Sequence, residues 1–76
     1  MNGFPSKETV ERIRRMYPQG TRVELISMSD PYTKLRPGDK GTVSVVDDIG
    51  TVFVNWDCGS DLGVAYGEDH IRKIDG

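Results

Sequence analysis

Cys58 and His70 are the one thiol and the one imidazole of this 76-residue chain, and a nucleophile beside a base is the minimum that covalent catalysis needs. Neither has the company such chemistry requires. Cys58 falls in the turn-forming run Asp57-Cys58-Gly59-Ser60 and His70 closes Gly67-Glu68-Asp69-His70, with no third group to orient the base and no glycine-rich oxyanion loop. No catalytic residue is expected, and the chain does not read as an enzyme. Asp57, Asp61 and Asp69, or Asp47 with Asp48, supply oxygen ligands of the kind calcium takes but not the spacing of a calcium-binding loop. They read as solvated turn carboxylates, and neither a metal nor a cofactor is expected.

The aromatic residues carry more. Tyr32 lies in an irregular stretch beginning Asp30-Pro31, Trp56 ends a strand-like run, and Tyr66 precedes a turn. At such places a small barrel can build a shallow aromatic groove for an extended peptide, which makes Asp30, Tyr32, Trp56 and Tyr66 candidate binding residues. A second reading of Trp56 is that it closes the core, because it shares a face with Val52 and Val54. The basic residues Lys7, Arg12, Arg14, Arg15 and Arg22 form the other candidate surface, either a solvated helix face or a contact for nucleic acid or an acidic partner.

These residues must be positioned by a small fold. A single domain of 76 residues keeps much of its surface in water and can bury only a modest core. Charged residues at 29% and hydrophobic ones at 36% suit a globular protein, and no apolar run reaches the roughly 20 residues that span a bilayer. The opening Met-Asn-Gly-Phe-Pro has neither a basic nor an apolar signal region, and a lone cysteine forms no internal disulfide. A reducing cytoplasm is the expected setting. The formal charge of −2 hides a division: residues 1 to 22 carry five basic and two acidic side chains, and the remainder five basic and ten acidic. An acidic body repels a phosphate backbone, so nucleic-acid binding would rest on the N-terminal arm and weaken steeply with salt.

Along the chain, residues 1 to 5 read as a tail and 6 to 76 as one domain. Ser6 is an N-cap candidate with Glu8 in the first turn, and Val10, Ile13 and Met16 or Tyr17 give a narrow apolar stripe, so a helix is predicted over 6 to 17 before Pro18-Gln19-Gly20 stops it. Thr21 to Ser27 reads as a strand with Val23 and Leu25 facing inward. Met28 to Pro37 is a long loop. The centre of the chain is a hairpin: Val43 and Val45 alternate with Thr42 and Ser44 on one arm, Val52, Val54 and Trp56 with Thr51, Phe53 and Asn55 on the other, and Asp47-Asp48-Ile49-Gly50 forms the turn. Leu62 and Val64 mark a short strand, Gly67 to His70 a 3₁₀ turn, and Ile71 to Ile74 a closing strand. Five short strands with one long first loop and tight later turns predict a mainly β fold, a small five-stranded SH3-like barrel with an N-terminal α-helix.

The ordered motifs Gly20-Thr-Arg-Val23, Met28-Ser-Asp-Pro-Tyr32, Leu35-Arg-Pro-Gly-Asp-Lys-Gly-Thr-Val43, Val46-Asp-Asp-Ile-Gly50, Val54-Asn-Trp-Asp-Cys-Gly59 and Gly67-Glu-Asp69 resemble a small bacterial domain family, DUF4314. The resemblance covers about residues 8 to 74. It implies an SH3-like fold and a setting in Gram-positive bacteria, their phages and integrative elements, and it carries over no catalytic residue. Cys58 departs from the Asn-Gly turn expected there. More distantly, Pro37 to Val43 is similar to the opening of KOW-type barrels, which often bind RNA or ribosomal and transcription proteins. Taken together, the expected function is that of a non-enzymatic protein-binding module acting through the long loop and its neighbouring aromatics. The alternative is nucleic-acid binding, or action against host defence, through Arg12, Arg14, Arg15 and Arg22.

Overall fold

A computed structural model describes residues 5–29 and 33–74. Helix α1 (Lys7–Met16) is followed by strands β1 (Arg22–Ser27), β2 (Lys40–Val46), β3 (Val52–Trp56), β4 (Gly63–Val64) and β5 (His70–Lys73). All pair antiparallel in one sheet of order β4-β3-β2-β1-β5. The class is mainly β with one short helix, as the sequence predicts. No ladder joins β4 to β5 among the described residues, so hydrogen bonding leaves the sheet open at those two edges.

Ser6 caps α1 as expected, its Oγ accepting from the Thr9 N–H at 3.2 Å, and Tyr17 ends it by donating its N–H to the Ile13 carbonyl at 2.9 Å. Glu8 in the first turn and Arg14 and Arg15 in the last complement the helix dipole. A helix of ten residues is marginal alone. Val10 and Ile13 supply the missing stability, since both are buried and each such side chain contributes about 1.5 to 3 kcal/mol.

The central hairpin forms around Asp47. Its Oδ1 accepts from the N–H groups of Ile49 at 3.1 Å and Thr51 at 2.8 Å, while its carbonyl accepts from Gly50 at 3.2 Å. Gly50 has φ 85°, a backbone conformation that favours glycine, and a Cβ there would sit tightly against Pro5 Cγ at 3.2 Å. At Gly41 the restriction is closer packing alone: a Cβ would lie 2.5 Å from Val54 Cγ1 and 2.8 Å from the Asn55 carbonyl oxygen.

One part of the hairpin differs from the expected alternation. Val43 pairs with Val54 and Val45 with Phe53, so Ser44 is an extra residue and the register shifts across it. A bulge of this kind reverses the facing of every residue beyond it. Val43 and Val46 therefore enter the core, whereas Val45, expected inside, is 54% exposed on the outer face opposite Phe53. The core also includes Val23, Leu25, Val52, Val54, Trp56, Val64 and, from the long loop, Leu35. Residues 66 to 68 form a hydrogen-bonded turn and not the expected 3₁₀ helix, with the Glu68 and Asp69 N–H groups both donating to the Ala65 carbonyl. β5 begins at His70, one residue before the predicted Ile71.

Because Val43 and Val45 differ only in the side of the sheet they occupy, alanine at each position tests the bulge. Val43→Ala is expected to lower unfolding free energy by about 1 to 3 kcal/mol in urea denaturation. Val45→Ala is expected to change it by less than about 0.5 kcal/mol.

Candidate functional site

Between α1 and the segment 64–71 runs a groove of about 400 Å³. Ile13, Val52 and Val64 form its floor, Arg12, Met16 and Tyr17 its helical wall, and Tyr66, His70 and Ile71 the wall opposite. Met16 and Tyr66 are 43% and 53% exposed, so large apolar surface remains on both lips. Partial burial pushes the Tyr17 phenol above its usual pKa, so Tyr17 is a neutral member of a wall whose charge comes from Arg12.

Asp69 ties the groove to the long loop. Its Oδ1 accepts from the Ser29 N–H at 2.8 Å and shares a hydrogen bond of 3.1 Å with the Ser29 hydroxyl, while Oδ2 accepts from the Ala65 N–H at 3.0 Å. Ser29 opens the loop and Ala65 opens the turn carrying Tyr66, so one carboxylate fixes the root of the loop against the groove wall. Asp69 reads in the sequence as a turn carboxylate or, with Asp57 and Asp61, as an oxygen ligand for calcium, and not as a tie to the loop. Its contact with Ser29 spans 40 residues and has no local signal.

The residues predicted for binding fall in three places. Tyr66 lines the groove. Trp56 is 3% exposed and donates its indole N–H to the Leu62 carbonyl at 3.0 Å, so it fills the core and presents no ring face to a ligand. Asp30 and Tyr32 lie outside the described residues.

The basic arm divides as well. Arg14 donates from Nε to the Val46 carbonyl at 3.2 Å and from Nη2 to Asp48 at 2.9 Å, fastening the helix to the hairpin turn. Arg22 grips both carboxylate oxygens of Asp57, at 2.9 and 2.7 Å, and reaches Thr42 Oγ1 at 3.1 Å. The hydrogen bonds from Arg22 hold the Asp57 carboxyl below its usual pKa, and the same pairing raises that of Arg22. Arg12 and Arg15 are exposed and form no ion pair within 4 Å among the described residues.

Cys58 is exposed in the β3–β4 turn and does not line the groove that His70 borders, so the structure does not gather a thiol and an imidazole into one site. Asp47, Asp57 and Asp69 are each engaged by the amides, hydroxyl or guanidinium named above. Among the described residues no three acidic, His or Cys side chains are grouped to hold a metal, and no helix is long and apolar enough to cross a membrane.

Residues 6–74 match the family model described as Domain of unknown function (DUF4314). No curated protein and no solved structure matches the chain.

Two carboxylates give tests. A depressed carboxyl pKa stabilises the fold above the unfolded value, near 3.9 for aspartate, and that contribution disappears as pH falls through the folded value. Asp57→Asn is therefore expected to lower the urea midpoint at pH 7 and to flatten its decline below about pH 4. Asp69→Ala removes two hydrogen bonds at the loop root and one to Ala65 in the turn before β5. Hydrogen exchange at the Ser29 and Ala65 amides is expected to quicken by about tenfold or more while β2 and β3 amides keep their protection.

Proposed function

We propose that this chain, which belongs to the DUF4314 family, is a non-enzymatic protein-binding module whose contact surface is the groove beside α1 together with the root of the adjoining loop. The observation that carries this reading is an apolar groove with Met16 and Tyr66 exposed on its lips. Tyrosine and methionine are also residue types enriched where proteins meet. The Asp69 contact fixes Ser29 at the root of the loop beside the groove wall, and Asp30 and Tyr32, which follow Ser29 in sequence, are kept with Tyr66 in the proposed surface.

The form we assign is SH3-like, supported by the strand order, the long β1–β2 connection and the short later turns. The setting we assign is the cytoplasm of a bacterium or of a mobile element's host, supported by the motif resemblance and by a lone exposed thiol. Separation of Cys58 from the His70 groove supports a role without covalent chemistry. Nucleic-acid binding is the weaker reading, because Arg14 and Arg22 of the four arginines assigned to it are already paired with Asp48 and Asp57.

Tagged protein expressed in its native host, with bound proteins identified by mass spectrometry, tests the reading when variants are run in parallel. Tyr66→Ala is expected to lose the specific partner, by roughly tenfold or more in captured amount. Phe53→Ala, exposed on the outer sheet face, is expected to retain it. Equal capture by both variants removes the groove from consideration.

A further inference from the structure

We infer that the segment received by the groove is an acidic amphipathic one, with apolar side chains between Met16 and Tyr66 and a carboxylate on the guanidinium of Arg12, Arg15 serving as a second contact. This rests on the protein-binding reading above and names the chemistry of its ligand.

The inference comes from how the chain uses its arginines. Arg14, Arg22 and Arg72 are paired with Asp48, Asp57 and Glu24 at 2.9, 2.7 and 2.7 Å. Arg12 and Arg15 are different: Glu8 and Glu11 stand four residues before them, the favourable helical spacing for an ion pair, yet neither pair forms within 4 Å. Among the described residues Lys7, Arg12 and Arg15 of α1 are therefore without an ion pair, and Arg12 is itself part of the groove wall. A guanidinium bordering apolar surface gains more from a carboxylate than one in open water, because the local dielectric is lower and the planar donors match both oxygens.

Asp69 on the opposite wall also lines the groove. Its oxygens accept from Ser29 and Ala65 and it forms no ion pair with Arg12, but its charge remains, so the ligand's carboxylate belongs on the Arg12 side, away from Asp69. His70 adds a further donor on that side. A bare phosphate backbone fits less well, because it offers no apolar side chain for the Met16 and Tyr66 lips and meets an acidic body beyond α1.

The test titrates the full chain with two synthetic amphipathic peptides of about four helical turns, with leucines at matching positions and either glutamate or lysine on the remaining face. Binding is followed by amide chemical shifts. The acidic peptide is expected to bind at least about tenfold more tightly at low salt, with shifts centred on Met16, Val64 and Tyr66, and to lose that advantage in roughly 0.5 M salt. Arg12→Glu with Arg15→Glu is expected to reverse the preference while circular dichroism stays unchanged. Equal affinity for the two peptides, abolished by Tyr66→Ala, overturns the charge inference and leaves the groove reading standing. Binding of neither peptide overturns both. Sedimentation showing a dimer that Tyr66→Ala dissolves gives the groove to a second copy of the chain, and preference for single-stranded DNA over both peptides gives it to nucleic acid; each overturns the inference.

Discussion

The pairing of β2 with β3 decides which side of the sheet each later residue occupies, and its decisive feature is the extra residue at Ser44. Without the bulge, Val45 would point inward and Val46 outward. With it, Val46 joins Val43 in the core and the hairpin tip comes within reach of α1, where Arg14 takes the Val46 carbonyl and Asp48. The helix is thus held by apolar burial of Val10 and Ile13 and by one guanidinium that reads the outcome of the register shift. A β-bulge bends its strand and strengthens local twist. Here that bend brings a turn and a helix together that are far apart in sequence.

The groove follows from the same arrangement. Helix α1 is pinned at the hairpin side, while β4 and β5 are not joined to each other, so the space between the helix and the segment 64–71 is left unfilled. A longer chain could close this space with additional side chains. At 76 residues, core volume is spent on the interior between β1, β2 and β3, and the surface beside α1 remains partly apolar.

Local features were legible in the sequence. The Ser6 cap, the helix stop near Tyr17, the Asp47–Gly50 turn and the inward set Val23, Leu25, Val52 and Val54 are all written in neighbouring residues, where capping chemistry and period-two alternation act. The bulge was not legible, because a strand containing Ser44 alternates as well as any other until its partner is known. Trp56 had two readings from its position alone, and burial decides for the core. Arg14 and Arg22 looked like free cations because their partners, 34 and 35 residues away, become neighbours only after the chain folds. Asp69 was hidden for the same reason. Of the candidate site, Tyr66 and, as part of a basic contact surface, Arg12 were visible, while Met16 and Tyr17 were read only as a packing stripe.

An open sheet presents unpaired backbone amides and carbonyls along its outermost strands, and these can template pairing with another chain. On one flank the exposure is brief, since β4 contains only two residues. On the other, β5 carries Arg72 and Lys73, and Arg72 is held across the ladder by Glu24 at 2.7 Å. A neighbouring strand that docked there would have to strip water from those cations. Resistance to stacking into aggregates thus resides at the periphery, in brevity on one side and in charge on the other, and owes nothing to the valine interior.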